Sequence, residues 1–134
     1  MLSINRTLLI VLPVVVILLS GCLQQEPPTY IDVSPEKAKE LIETYPDLII
    51  IDVSPNYERG HLPGALNYYL GNGSLDNALL TLQKNGKYLV YCHSDSASIQ
   101  AAQQMIDAGF KTVYRLEGNY RAWVNAGYDV ETGW

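Results

Sequence analysis

The run LIIIDV at 48–53 constrains this chain more than any other stretch. It is β-branched and apolar at odd and even positions alike, so it needs cover on two faces, as a strand inside a parallel sheet does. The rest of the chain alternates accordingly. Tyr30 to Val33 reads as a short strand, and Ser34-Pro35-Glu36 opens a helix with a hydroxyl N-cap, proline at N1 and an acid in the first turn. Ala38, Leu41 and Ile42 mark its inner face. A turn-rich stretch from Ser54 to Gly64 leads to a brief extension, Ala65-Leu66-Asn67, and a loop with Gly71, Asn72 and Gly73. Leu75, Leu79, Leu80 and Leu82 mark the next helix, which Asn85-Gly86 ends. Lys87 to Tyr91 is a further strand, and Cys92 stands where it stops. A helix runs from about Ala97 to Ala108 with Ile99, Ala102 and Ile106 inward, closed by Gly109 as C′ with Phe110 as its hydrophobic partner. Thr112 to Leu116 is another strand, and Glu117-Gly118-Asn119 turns into a last short helix, Tyr120 to Ala126, with Trp123 in the core. The fold class is α/β, a mainly parallel sheet with helices on both faces.

The first residues stand apart from that pattern. Arg6 precedes an apolar run, Thr7 to Leu19, interrupted by Pro13, which matches the charged and apolar regions of an export signal. The run is short for a spanning helix of about 20 residues. Leu19-Ser20-Gly21-Cys22 follows directly and resembles the cleavage motif of prokaryotic lipoproteins. That resemblance implies a signal peptide over 1–21, lipid on Cys22, a polar, proline-bearing spacer over 22–29 and a soluble domain over 30–134. An uncleaved signal anchor is the alternative. Either places the domain at the membrane outside the cytoplasm, and stable lipid anchoring takes two or more acyl chains. With Cys22 consumed by lipid, Cys92 is the one thiol left for chemistry.

Charge narrows the partners. Nine Lys and Arg against fourteen Asp and Glu give −5, and leaving out Arg6 with the leader gives −6. That balance repels phosphate backbones, which argues against nucleic-acid binding. No stretch reads as a dimer seam, so the oligomeric state stays open.

Ligands of parallel α/β sheets sit beyond the carboxyl ends of the strands. Asp52 and Cys92 both stand there, so two strand ends deliver a carboxylate and a thiol to one edge. The segment Cys92-His93-Ser94-Asp95-Ser96-Ala97-Ser98 joins a strand to a helix, and its amides together with the helix N-terminus favour a thiolate, the nucleophilic form of cysteine. It holds neither glycine nor proline, so Ser and Asp side chains must shape its turn.

The motifs IIIDV at 49–53, YERGHLPGALN at 57–67, YLVYC at 88–92, AAQQMIDAGFKTVYRLEGNYRAW at 101–123 and AGYDV at 126–130 resemble, in order and spacing, the rhodanese-like sulfurtransferase domain over about 30–131. The resemblance implies a five-stranded parallel sheet flanked by helices. It makes Cys92 the residue that takes the outer sulfur of a thiosulfate- or persulfide-type donor, holds it as a persulfide and passes it to a thiol acceptor. Residues 93–98 then bind the substrate, Asp52 and His61 support the loop, and neither metal nor cofactor is required.

The loop departs from that family's pattern. Many active members carry a sequence close to CRSGNRS, whereas this chain has His93 and Ala97 at the arginine positions and Asp95 at the glycine. A unit charge at ~5 Å is worth ~3 kcal/mol at an effective dielectric of 20, before screening, so each change works against a dianionic donor. The expectation is weak thiosulfate affinity and preference for a less charged persulfide or polysulfide. Ser54 also follows Val53 where the family usually has arginine, and Arg59 and Arg121 read as solvated surface groups. Cysteine phosphatases need an arginine at the position of Ser98, which argues against that chemistry. A second functional reading is a rhodanese-fold binding or sulfur-sensing module without turnover.

His61 in GHLPGA reads as a hydrogen-bonded structural histidine. His93 adjoins the nucleophile, but adjacent side chains on an extended backbone point apart. Tyr57, Tyr68, Tyr69 and Tyr120 read as core and rim packing.

Overall fold

In the computed structural model, which describes Gly21 and residues 25–134, the chain from Ile31 onward forms one α/β layer structure. Residues 1–20 and 22–24, and with them the lipoprotein-type signal and Cys22, lie outside the described residues. Among the described residues no helix is long and apolar enough to cross a membrane.

The strands are β1 (Ile31–Val33), β2 (Ile49–Asp52), β3 (Leu66–Asn67), β4 (Lys87–Tyr91) and β5 (Thr112–Leu116). They form a single sheet in the order β1-β5-β4-β2-β3, every pair parallel. The helices are α1 (Pro35–Thr44), α2 (Ser74–Leu79), α3 (Asp95–Asp107) and α4 (Asn119–Asn125). The sheet's period of two sorts the core into two clusters. Ile51, Tyr88, Val90, Cys92 and Val113 pack with Leu75 and Leu79 of α2 and Ala101, Ala102, Met105 and Ile106 of α3. Val33, Ile50, Leu89, Tyr91 and Leu116 pack on the other face with Ala38 and Leu41 of α1 and Trp123 of α4. The doubly covered run LIIIDV is thus satisfied from both sides.

Local signals act as the sequence indicates. Ser34 caps α1 by accepting the Lys37 amide at 3.1 Å, with Pro35 at N1. α3 closes with the amide of Gly109 on the Ile106 carbonyl and that of Phe110 on the Met105 carbonyl, and the Phe110 ring is buried against Tyr88.

Three expectations need correction. α3 begins at Asp95, two residues before the expected Ala97, so its buried stripe is Ser98, Ala101, Ala102, Met105 and Ile106. Ile99 lies off that stripe and is exposed. α2 ends at Leu79, and Leu80 turns outward, because the helix is only long enough to present Leu75, Ala78 and Leu79 to the core.

Gly118 turns the chain from β5 into α4. Its φ is +76°, and a Cβ there would lie 2.6 Å from the Cβ of Ala122 in the first turn of α4. Gly118→Ala combines left-handed strain with overpacking against a helix, so we expect a loss of about 2–4 kcal/mol in urea unfolding. A loss under ~0.5 kcal/mol would mean that the turn relaxes freely.

Candidate active site

β4 ends at Tyr91, and side-chain alternation carries one step further. Cys92 therefore follows Tyr88 and Val90 onto the α2/α3 face, and the residue is 4% exposed. It lines a pocket of about 360 Å³ with Val53, Pro55, Tyr69, Leu70, Gly71, Ser94, Ala97 and Gln100. None of these side chains is charged. Ser94 and Ala97 belong to the start of α3, so the helix begins on the same wall as the sulfur. The first-turn amides of a helix have no helical partner, and the Ser94 side chain does not cap them. A 13-residue helix thus brings its positive end, with free donors, to the pocket that holds the thiol.

The segment 93–98 divides between two faces. Ser94 and Ala97 line the sulfur's pocket. His93 takes the opposite parity, stacks on Tyr120 at 4.4 Å between ring centroids, and lines a separate pocket with Arg121, Val124 and Asn125. Ser98 is buried, donating its hydroxyl to the Asp95 carbonyl at 3.0 Å and accepting from Arg115 at 3.2 Å. Asp95 points to Asn119 and Arg115, and Ser96 stands exposed in the first turn.

Asp52 shares the sheet edge with Cys92 but not its face. It is fully buried, and Oδ1 accepts the Ser54 amide at 2.7 Å, turning the chain just after β2. The Asn67 side-chain amide donates through Nδ2 to the carbonyls of Asp52 and Ser54, both at 3.0 Å, which fixes the same corner. Asp52 Oδ2 faces His93 Nε2 at 4.0 Å, and neither atom makes a hydrogen bond within the protein. Burial, followed by the Asp52 charge, pushes the Tyr91 phenol far above its ordinary value, and its oxygen accepts the Leu62 amide at 3.0 Å. The Asp52 carboxylate therefore shapes the loop corner and faces the imidazole across from it.

His61 lies away from the sulfur. Its Nδ1 is 2.8 Å from the Tyr57 carbonyl, its ring stacks on Tyr57 at 3.6 Å, and its backbone bridges Glu131 in both directions. Gly60, beside it, leaves no room for a side chain, since a Cβ would stand 2.0 Å from the Tyr120 hydroxyl.

Burial lowers the pKa of His93 below its ordinary 6.5, with the Asp52 charge opposing the shift. A proton therefore binds more readily to the unfolded chain. The stability held by neutral His93 is complete above about pH 6.5 and is lost as pH falls through the lower folded value. His93→Gln should consequently flatten the decline of the urea midpoint below pH 6.5. Parallel pH curves for the two proteins would contradict this.

Two residues at the site escaped the sequence reading. Arg115 on β5 is 5% exposed, and Asn119 is 3% exposed with φ +58°. Tyr69, read as packing, also lines the sulfur's pocket.

The profile of the Rhodanese-like domain family matches residues 34–126. The chain belongs to the rhodanese-like domain family. Among curated proteins, the thiosulfate sulfurtransferase GlpE of Coxiella burnetii is 33% identical over 96 residues, covering 70% of this chain and 87% of that protein. The GlpE of Glaesserella parasuis is 24% identical over 106 residues, covering 79% of this chain and 97% of its own length. Among solved structures, that of the Alr3790 protein from Anabaena sp. superposes with a TM-score of 0.69 at 29% identity, covering 75% of this chain and 92% of that one. At the level of the family, the chain is a rhodanese-type, sulfurtransferase-like domain, and its all-parallel five-stranded sheet is the expected rhodanese-like architecture.

Proposed function

We propose that this rhodanese-like domain transfers sulfane sulfur through a persulfide on Cys92, drawing on a donor of low charge. The observation that carries the reading is the pocket shared by the Cys92 thiol and the N-terminus of α3. The Cys92 thiolate attacks the outer sulfur of a persulfide donor, the donor's S–S bond breaks, and its thiolate leaves. An acceptor thiolate then attacks the terminal sulfur and releases the Cys92 thiolate. Electrons and sulfur balance over the two steps, and the helix end and first-turn amides stabilise the anionic sulfur at each stage.

The uncharged lining supports a persulfide or polysulfide over dianionic thiosulfate. The hydrogen bonds of the Asp95 carboxylate to Arg115 and Asn119 moderate its effect on the donor, leaving the absent cation at Ala97 as the main difference from arginine-bearing loops. Purified protein should saturate with a simple alkyl persulfide, at most singly charged, in a cyanide-coupled thiocyanate assay and show a KM for dianionic thiosulfate at least ~10-fold higher. Tight thiosulfate saturation would overturn the donor assignment. Absence of turnover with every donor would favour the sensing module instead.

The proposal includes the location. The charged and apolar regions before Leu19-Ser20-Gly21-Cys22, together with the exposed, proline-bearing segment at 25–29, support tethering at the membrane outside the cytoplasm through lipid on Cys22. Metabolic labelling with a fatty-acid probe should mark the protein, and Cys22→Ala should lose the label.

A further inference from the structure

Asn119 is the one residue other than glycine with positive φ among the described residues. A left-handed backbone favours glycine and, among other residues, asparagine, aspartate and histidine, and such conformations persist where the surroundings hold them. Here the surroundings are the Cys92 segment. Asn119 Oδ1 accepts the Cys92 amide at 3.1 Å, and Nδ2 donates to Asp95 Oδ1 at 2.6 Å. The Tyr120 amide, next along the chain, donates to the Cys92 carbonyl at 3.1 Å, so the start of α4 grips both backbone groups of the cysteine.

Arg115 completes the arrangement from the sheet. Its Nη1 donates to the same Asp95 oxygen at 3.3 Å and to Ser98 Oγ at 3.2 Å, while Nε donates to Asp32 Oδ1 at 2.6 Å. The parallel register of β1 and β5 sets Asp32 beside Arg115. Asp95 is thus the acid at the first position of α3, drawn towards β5 and α4, whereas its neighbours Ser94 and Ala97 line the sulfur's pocket. A carboxylate free to swing beside a thiolate would oppose its ionisation.

We propose that Asn119 and Arg115 are positioning residues for Cys92, holding the Asp95 carboxylate out of the sulfur's pocket and fixing the Cys92 backbone. The inference rests on Cys92 as the sulfur carrier. A glycine at 119 would satisfy the backbone alone, whereas the asparagine adds the two hydrogen bonds.

The test is the rate of Cys92 alkylation by iodoacetamide against pH, read by peptide mass spectrometry on the full chain so that Cys22 is scored separately. Arg115→Met should raise the pH midpoint by roughly 0.5–1 unit, and adding Asp95→Asn should bring it back. Asn119→Gly, which keeps the left-handed turn without strain, should raise the midpoint in the same direction and lower kcat more than it changes the donor KM. It carries the test alone should Arg115→Met fail to fold. A wild-type midpoint in a folded variant, or a displaced midpoint that Asp95→Asn leaves displaced, overturns the proposal. Alkylation requires no sulfur donor, so a wild-type protein that takes up no sulfur would defeat the transfer reading while these midpoints still decide the positioning role.

Discussion

Serine in place of Cys92 is expected to reduce sulfur transfer from glutathione persulfide by at least ~10³-fold, to the rate of donor and acceptor alone. The hydroxyl is close in size to the thiol, so the pocket and the loop should survive, and the far-UV circular dichroism and urea midpoint should change little. Serine nonetheless cannot form the disulfur bond that stores the transferred atom. The surrounding donors remain, but they have no persulfide to stabilise. Retention of a tenth or more of the wild-type rate would place the chemistry elsewhere, and the remaining cysteine at position 22 would be the next residue to replace.

Arginine at position 97 should have the opposite character, a gain confined to one class of donor. Ala97 lies in the first turn of α3 on the wall of the sulfur's pocket. A guanidinium at that position would meet the outer oxygens of thiosulfate at about 5 Å, worth ~3 kcal/mol before screening. Screening at the partly open mouth leaves roughly a 10- to 30-fold lower KM for thiosulfate. The KM for a simple alkyl persulfide, at most singly charged, should change far less, within about twofold, since no dianion is present to respond. Equal gains for both donors would point to a general rearrangement of the loop, and no gain for thiosulfate would refute the assignment of donor choice to the missing charge.

The architecture was legible because burial leaves a pattern in the chain. LIIIDV has to be covered on both faces, and the two core clusters cover it with α2 and α3 on one side and α1 and α4 on the other. Strand ends are legible for the same reason, which is how Asp52 and Cys92 came to one edge. Their faces followed from parity, which had to be carried past the end of β4: Cys92 continues Val90, whereas His93 continues Tyr91 and meets Asp52.

The misread residues have physical causes. Ser98, read with the substrate-binding segment 93–98, belongs to the buried stripe of α3, where Arg115 supplies its hydrogen bond; Ile99, more apolar, falls outside that stripe. Arg115 in TVYRL carries no local mark of its role. Its partner Asp32 is 83 residues away and is brought alongside only by the crossover that pairs β1 with β5. Asn119 looks like an ordinary turn residue after Gly118. Its contact with Cys92 spans 27 residues and depends on a left-handed φ that asparagine leaves open but does not announce. In each case the signal resides in a pairing across the sheet, which no local window contains.

The proposed chemistry requires Cys92 to carry a sulfur atom. Intact-mass spectrometry of the protein after brief incubation with glutathione persulfide, followed by peptide mapping, tests it directly. The expected result is a single adduct of about 32 Da on Cys92, lost on adding a thiol acceptor and never formed by Cys92→Ser. Unmodified Cys92 under conditions that turn over donor, or an adduct there that no thiol removes, would contradict it.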